Sequence, residues 1–210
     1  MQHGQRSDHA PLSDNVSFLR AMVERPDVVG AVSPSGPALA RNMASHVDVS
    51  REGVILELGP GTGPVTKALL AHGVPMSRLL LVEYETKFCH LLRDRFPGVK
   101  IVQGDAYDLK KTLKAHIDGR ISTIVSSLPL LMRPERDRVE LLHQAFDLMG
   151  PDGLFIQFTY RLAGSPVPLH SANGSAARFV GKSGAPILFN LPPARVWRYR
   201  VAGHAGAPGR

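Results

Sequence analysis

VILELGPGTG, at residues 54–63, joins a strand pattern to a glycine-rich turn, and the rest of the fold can be read outward from it. Its first five residues form a short, mainly apolar run, which is typical of a strand buried inside a sheet. The three glycines that follow permit a tight turn and let a ligand approach the backbone. A helical pattern begins directly afterwards, at Pro64. This order of strand, glycine loop and helix predicts a nucleotide-type cofactor site.

The same alternation of strand and helix patterns continues along the chain. Five short apolar runs bounded by Gly, Pro or charged residues are strand candidates; they lie at residues 53–59, 78–83, 99–105, 121–127 and 153–160. Segments with apolar positions three and four apart are helix candidates; they lie at residues 64–73, 85–96, 108–117 and 134–150. Two further strand-like runs flank Pro192-Pro193. The alternation predicts an α/β fold with a mostly parallel sheet and helices on both faces.

Four segments are predicted along the chain. Residues 1–12 are polar and are expected to be a flexible tail, and residues 202–210 form a second one. Residues 13–48 contain two helical patterns and are expected to form a helical extension, either a lid or a membrane contact. Residues 49–201 carry the sheet domain. Within it, residues 161–186 are rich in Gly, Ser, Ala and Pro, which predicts a long functional connection.

Composition excludes several classes of protein. A chain of 210 residues suits one domain, and its net charge of +7 favours an anionic partner such as nucleic acid or an acidic membrane surface. The lone Cys89 provides neither a disulfide framework nor a cysteine metal site. No apolar run approaches the length of a transmembrane helix, and the first 15 residues lack a secretory pattern. We therefore expect a cytoplasmic protein.

Three carboxylates favour one kind of cofactor. Glu57 precedes the glycine loop, where it would repel a pyrophosphate but attract a ligand with an α-ammonium and a sulfonium. Glu83, 20 residues after Gly63, ends the second strand and can accept both ribose hydroxyls. Asp105 ends the third strand and can accept from an adenine amino group, beside the backbone amide of Ala106. Because ligands bind at the carboxyl ends of parallel strands, this set predicts S-adenosylmethionine.

With these residues in place, the sequence resembles the class I S-adenosylmethionine-dependent methyltransferases. Within them it is similar to the bacterial phospholipid N-methyltransferases of the PmtA type, which are related to the ribosomal RNA adenine dimethylases. The resemblance runs from about Phe18 to Tyr199. The segments that carry it are GAVSPSGPALARNMA (30–44), ILELGPGTGPVTKALL (55–70), LVEYETKF (81–88), SSLPLL (126–131) and NLPPARVWRY (190–199).

The resemblance implies a seven-stranded, Rossmann-like sheet and a set of donor-binding residues. It implies that Glu57, Gly59, Gly61 and Glu83 bind the methyl donor and that Asp105 contacts the adenine. The further candidates for contact with the donor are Gly63, Tyr84, Ala106 and Ser126. The known enzymes of this type convert phosphatidylethanolamine through its mono- and dimethyl forms toward phosphatidylcholine, and leave S-adenosylhomocysteine as the second product.

The segment after the fourth strand predicts the acceptor. Enzymes that methylate nucleobase amines usually carry Asn or Asp, then Pro, then an aromatic ring that stacks on the base. Residues 126–131, SSLPLL, have neither the strong acceptor nor the ring, and Leu130 and Leu131 suggest an apolar rim suited to a lipid. Methylation of phosphatidylethanolamine is therefore the first hypothesis. An RNA adenine methyltransferase, supported by the basic charge, is the alternative, and an inactive cofactor-binding adaptor is the third.

Tyr160, at the end of the fifth strand, is the candidate catalytic residue. Its hydroxyl could orient the lipid amine, and its ring face would favour an increasingly methylated cation. The competing interpretation is that Tyr160 only caps the core.

A basic amphipathic helix near the amino terminus predicts contact with a membrane. Phe18 and Met22 belong to its apolar stripe, and Arg20 and Arg25 lie beside that stripe. Farther along the chain, Arg178 and Lys182 are expected to add to the basic face or to hold a lipid phosphate. The alternative is that the helix only covers the cofactor. We expect phosphatidylethanolamine and anionic lipids as partners, no metal, no nucleic acid, a monomer, and a peripheral location on the inner face of the cell membrane.

Overall fold

A seven-stranded sheet organises the computed structural model, which describes residues 36–117, 119–169, 178–190 and 192–204. The strands are β1 (Val54–Leu58), β2 (Leu79–Glu83), β3 (Lys100–Gln103), β4 (Ile121–Ser126), β5 (Leu154–Thr159), β6 (Phe179–Ser183) and β7 (Arg195–Val201). The helices are α1 (Pro37–Ala44), α2 (Pro64–Ala71), α3 (Thr86–Arg95), α4 (Leu109–Leu113) and α5 (Glu135–Met149). The predicted α/β, Rossmann-like architecture, a seven-stranded sheet with helices, is confirmed.

The strand order is β3-β2-β1-β4-β5-β7-β6. Strands β1 to β5 pair in parallel, whereas β7 is antiparallel to both β5 and β6. The strand order runs outward in opposite directions from β1 and β4, so the connections that follow these two strands lead to opposite sides and leave a crevice at their carboxyl ends. The glycine loop follows β1 directly, so it lies at this crevice.

The apolar core lies on the two faces of the sheet. Leu56 and Leu58 of β1 pack into one cluster with α4 and α5, and Ile55 packs into the other with α1, α2 and α3. Because side chains alternate along a strand, Glu57 shares the face of Ile55, against α2. Every residue of β2 and β4 is buried, as expected for central parallel strands.

The structure corrects the predicted strands near the carboxyl end. β6 lies at Phe179–Ser183, inside the segment predicted to be irregular, and the run at residues 187–190 forms only an isolated bridge between Ile187 and Ala194. A β-carbon on Gly181 would lie 2.9 Å from the Tyr199 ring, so close packing requires a glycine there. That glycine interrupts the apolar pattern by which a strand is recognised.

α1 belongs to the packed sheet unit. Its Leu39 and Met43 are fully buried in the same cluster as Ile55. The boundary predicted after residue 48 therefore falls inside this unit. The residues predicted to contact a membrane, Phe18, Arg20, Met22 and Arg25, lie outside the described residues. Within the described ranges, no helix is long and apolar enough to cross a bilayer.

Candidate functional site

Three left-handed glycines shape the loop after β1. Gly59, Gly61 and Gly63 have φ angles of 64°, 56° and 86°. A β-carbon on Gly59 would lie 2.8 Å from the Leu128 side chain, and one on Gly63 would lie 2.5 Å from the Phe96 ring. A β-carbon on Gly61 would meet no described atom within 4 Å. Two glycines thus pack the loop against its neighbours, and Gly61 leaves an open cradle above it.

Glu83 is fixed beside this cradle. Its Oε2 accepts a hydrogen bond from the Gly61 backbone N–H at 3.0 Å, and its Oε1 accepts one from the Glu85 backbone N–H at 3.0 Å. Each oxygen of an ionised carboxylate can accept about two hydrogen bonds. Both oxygens therefore retain capacity for a further donor, which is what a ribose diol would supply.

Glu57 is fully buried beneath the loop. Its Oε2 accepts a hydrogen bond from the Thr66 hydroxyl at 2.7 Å, whereas its Oε1 has no partner among the described residues. Burial raises the pKa of Glu57 to about 8; the Thr66 hydrogen bond opposes this rise and the charge of Glu83 adds to it. A carboxylate in such a position is stabilised by a cationic ligand, which favours its ionised form.

We predict that donor binding is linked to the ionisation of Glu57. Near neutral pH the free protein mostly holds the Glu57 proton, and a bound cation releases it, so donor affinity should rise by up to about tenfold per pH unit between pH 6 and 7.5. Titration calorimetry in buffers of different ionisation enthalpy would measure this proton release. Glu57→Gln should abolish the release and the pH dependence, and equal proton release in both proteins would refute the linkage.

The same titration predicts how Glu57 affects folding. In the unfolded chain Glu57 loses its proton near pH 4.5, whereas in the folded protein Glu57 keeps it until about pH 8. The folded state therefore binds more protons in this window, and the contribution of Glu57 to stability falls as pH rises through it. Accordingly, the Tm of Glu57→Gln should exceed that of the wild type at pH 8 by more than at pH 5.

The residues predicted for adenine lie next to Glu83. The Gly104 backbone N–H donates to the Glu83 carbonyl at 3.0 Å and so joins the ends of β2 and β3. Asp105 is exposed there, and its Oδ1 accepts from the Tyr107 backbone N–H at 2.8 Å, while Ala106 is buried. Tyr84 is 69% exposed directly after Glu83. These side chains are placed together, and their contact with adenine stays a prediction.

The end of β4 adjoins the glycine loop. Ser126 is buried opposite Leu58, and its hydroxyl accepts weakly from the Leu128 backbone N–H at 3.4 Å. The structure corrects the predicted apolar rim at this point. Leu130 is 2% exposed and belongs to the core, so only Leu131, at 42%, presents an apolar surface there.

Two functional candidates at the same edge were missed by the sequence reasoning. The Ser127 hydroxyl and the Gln157 Oε1 are buried without a hydrogen-bond partner in the described chain. The Gln157 Nε2 donates to the Leu128 carbonyl at 2.9 Å, which ties β5 to this segment. The signal in the sequence is the long polar side chain of Gln157 within the otherwise apolar run at residues 154–158. Buried acceptors left open in this way indicate a place for a ligand that donates hydrogen bonds.

The remaining candidates are placed differently. The Tyr160 ring lies 5.3 Å from that of Phe158 and packs against the core, so it contributes to the core whether or not it contacts a substrate. Arg178 lies just before β6, at the amino ends of the parallel strands and so at the opposite edge from the glycine loop, and its guanidinium pairs with Asp147 at 2.9 Å. Lys182 is exposed on β6. Within the described ranges, no cluster of three His, Cys, Asp or Glu side chains could hold a metal.

Comparisons with known proteins identify a methyltransferase domain. Residues 55–153 match the methyltransferase domain family. The chain is 29% identical over 151 residues to the ornithine lipid N-methyltransferase of Singulisphaera acidiphila, a match that covers 70% of this chain and 79% of that protein. It is 38% identical over 95 residues to the ribosomal RNA small subunit methyltransferase A of Geobacter metallireducens, of which the match covers 33%.

Solved structures agree on the fold. The O-methyltransferase TomG of Streptomyces achromogenes, solved with S-adenosylmethionine, has a TM-score of 0.62 at 17% identity, with 94% of this chain and 92% of that chain covered. An O-methyltransferase of Bacillus cereus, solved with S-adenosylhomocysteine, has a TM-score of 0.61 at 13% identity, with 92% and 93% covered. At these identities, the likeness establishes the fold alone.

Proposed function

We propose that this S-adenosylmethionine-dependent methyltransferase methylates the primary amine of a membrane lipid, with phosphatidylethanolamine as the acceptor. The product series leads toward phosphatidylcholine, at the inner face of the cell membrane. The observation that carries the proposal is the segment after β4, which borders the glycine loop through Leu128 and has no aromatic ring.

The donor site fits the cofactor in its polarity. The open cradle at Gly61, the spare acceptor capacity of Glu83 and the unpartnered Oε1 of Glu57 would hold its uncharged ribose and its cationic amino-acid portion. When bound, S-adenosylmethionine supplies a methyl group activated by a sulfonium leaving group. The chain contributes position and the exclusion of water, which account for much of the acceleration in a displacement of this kind.

The segment after β4 and the adjoining Gln157 of β5, called the acceptor edge because the methyl acceptor would bind there, would orient a neutral amine. A lipid ammonium must lose a proton before its nitrogen can attack, and the neutral amine then has two N–H donors. The Ser127 hydroxyl and the Gln157 Oε1 are two buried acceptors without partners in the described chain, and both adjoin Leu128. They could accept from the amine and leave its lone pair free. Neither is a strong base, so we propose that the proton leaves to solvent and that Tyr160 has at most an orienting role.

An ornithine lipid is a second candidate acceptor. Its support is the 29% identity to an ornithine lipid N-methyltransferase over most of both chains. Ornithine lipids and phosphatidylethanolamine share a primary amine and acyl chains, so the same acceptor edge would suit both.

RNA is the weaker alternative. It is supported by the net charge of +7 and by the matches to ribosomal RNA methyltransferases, which span between 18% and 36% of those proteins. Against it, the position where a nucleobase enzyme has a stacking ring is Leu130, which is buried in the core. A base flipped out of its stack would find no aromatic partner in residues 126–131.

Label transfer from methyl-labelled donor separates these acceptors. The purified protein is incubated with vesicles of phosphatidylethanolamine, vesicles of ornithine lipid, and ribosomal RNA, and label is counted in each. We expect uptake by phosphatidylethanolamine at least about 100-fold above that by RNA, a difference of about 3 kcal/mol in transition-state stabilisation. Glu83→Ala is the control, because it should remove label from every acceptor.

The outcomes divide the hypotheses. Label in ornithine lipid alone would replace the acceptor but keep lipid N-methylation. Label in RNA alone would overturn the proposal. No label in any acceptor, from a protein that binds the donor by calorimetry, would favour the cofactor-binding adaptor.

A further inference from the structure

The turn between β6 and β7, described at residues 184–190 and 192–194, lies at the edge of the sheet that carries the candidate cofactor site. β7 is antiparallel to β5 and to β6, so β6 runs in the same direction as β5. The end of β6 and the start of β7 therefore lie at the carboxyl edge, as do the glycine loop and the end of β4. Whatever this turn contacts is on the substrate side of the sheet.

This turn is held in a defined conformation. Ile187 and Ala194 exchange backbone hydrogen bonds of 2.7 and 3.3 Å across it. Asn190 is 3% exposed; its Oδ1 accepts from the Gly36 backbone N–H at 2.9 Å, and its Nδ2 donates to the Pro192 carbonyl at 2.7 Å. The turn is thus anchored both across its own strands and to the residue before α1.

The anchored turn displays two large apolar side chains. Leu188 is 71% exposed and Phe189 is 95% exposed, the latter the most exposed large apolar residue among the described ones. Isolated surface apolar residues are ordinary, but two adjacent ones at the tip of a fixed turn form a small protrusion rather than part of a flat surface. Such a protrusion fits a soft apolar medium better than a preformed pocket.

Charge favours an anionic surface opposite this protrusion. After Asp152 the chain has no acidic side chain and seven basic ones, which leaves 18 basic and 18 acidic side chains in the rest. The whole net charge of +7 therefore belongs to the last 58 residues. Of these, Arg161 follows β5 at the carboxyl edge, and Lys182 and Arg195 flank the turn. Basic side chains close to a membrane are attracted by its anionic lipids.

We propose that Leu188 and Phe189 insert into an anionic lipid bilayer and hold the acceptor edge of the sheet against it. The inference rests on the proposed function, because a lipid acceptor requires the site to reach a bilayer. Two side chains cover far less than the roughly 800 Å² per partner of a stable protein interface. The combination of a small apolar tip and a basic surround matches an interfacial membrane contact instead.

A fluorescent label at the tip tests the insertion directly. Cys89 is the one cysteine and is buried, so a cysteine introduced by Phe189→Cys can be labelled selectively with a polarity-sensitive dye. We expect a blue shift with vesicles of phosphatidylethanolamine and phosphatidylglycerol, and quenching by nitroxide-labelled lipids. Met76→Cys is the matched control, because Met76 is 47% exposed before β2, at the opposite edge, and its label should not respond.

Loss of the apolar tip should weaken membrane binding selectively. The double variant Leu188→Ser, Phe189→Ser should sediment with the same vesicles at least about tenfold more weakly than the wild type, whereas Met76→Ser should match the wild type. Methylation of a short-chain phosphatidylethanolamine below its micellar concentration should be unchanged in both variants. Thermal unfolding would check that each variant is folded.

The possible failures are distinguishable. If phosphatidylethanolamine in vesicles is methylated but the label at residue 189 does not respond, the inference is wrong and the proposed function stands. If the label responds but no lipid is methylated, the inference stands and the proposed function is wrong. A blue shift without vesicles would overturn the inference: one that grows with protein concentration indicates a second copy, and one that does not indicates cover by the chain itself.

Discussion

Gly61→Ala is expected to lose donor binding, whereas Gly73→Ala keeps it. Both glycines have positive φ angles, 56° and 101°, and a β-carbon on either would meet no described atom within 4 Å. Each substitution therefore introduces backbone strain of about 1 kcal/mol, with no clash against the described chain. The difference lies in position, because Gly61 forms the cradle beside Glu83 and Gly73 follows α2 on the exposed surface.

Calorimetry with S-adenosylmethionine and S-adenosylhomocysteine measures the effect. We expect the Kd of Gly61→Ala to rise at least about tenfold, a loss of at least about 1.4 kcal/mol of binding free energy. The reason is that the alanine side chain occupies space that the ligand needs. The Kd of Gly73→Ala should stay at the wild-type value, and both variants should show a lowered Tm. Equal affinity in the two variants would mean that the space above Gly61 is not the donor site.

The placing together of the candidate donor-site residues could be predicted from sequence, because it depends on chain order and strand ends. Glu57 lies two residues before the glycines and Glu83 ends the next strand, so parallel pairing brings both to one edge without knowledge of packing. The burial of the side chains in this site could not be predicted without the fold. The burial of Glu57 against Thr66, and hence its raised pKa, depends on how α2 crosses the sheet.

The acceptor edge was less predictable because it depends on register and on side-chain direction. Gln157 reaches the Leu128 carbonyl only because β5 pairs beside β4. Leu130 and Leu131 have the same hydrophobicity, yet Leu130 turns into the core and Leu131 faces outward. Sequence pattern does not resolve such a choice within a short irregular segment.

Glu83→Ala is expected to weaken donor binding by about 100-fold or more. Hydrogen bonds to a charged group contribute about 1.5–3 kcal/mol each, and the carboxylate would accept two from the ribose. The loss alone would not prove the assignment, because Glu83 also holds the Gly61 backbone N–H at 3.0 Å and its removal would loosen the loop. Glu85→Ala is the control, since it keeps the backbone N–H that donates to Glu83.

A ribose analogue separates these two effects of Glu83. The wild type should bind S-adenosylhomocysteine at least about 100-fold more tightly than its 2′,3′-dideoxy analogue, because only the former donates to both carboxylate oxygens. Glu83→Ala should bind the two ligands with nearly equal affinity, since the partner of the hydroxyls is gone. Loosening of the loop would weaken both ligands alike and would leave the ratio unchanged. A ratio near 100 in Glu83→Ala would therefore assign the ribose to another residue and leave Glu83 as a support for the glycine loop.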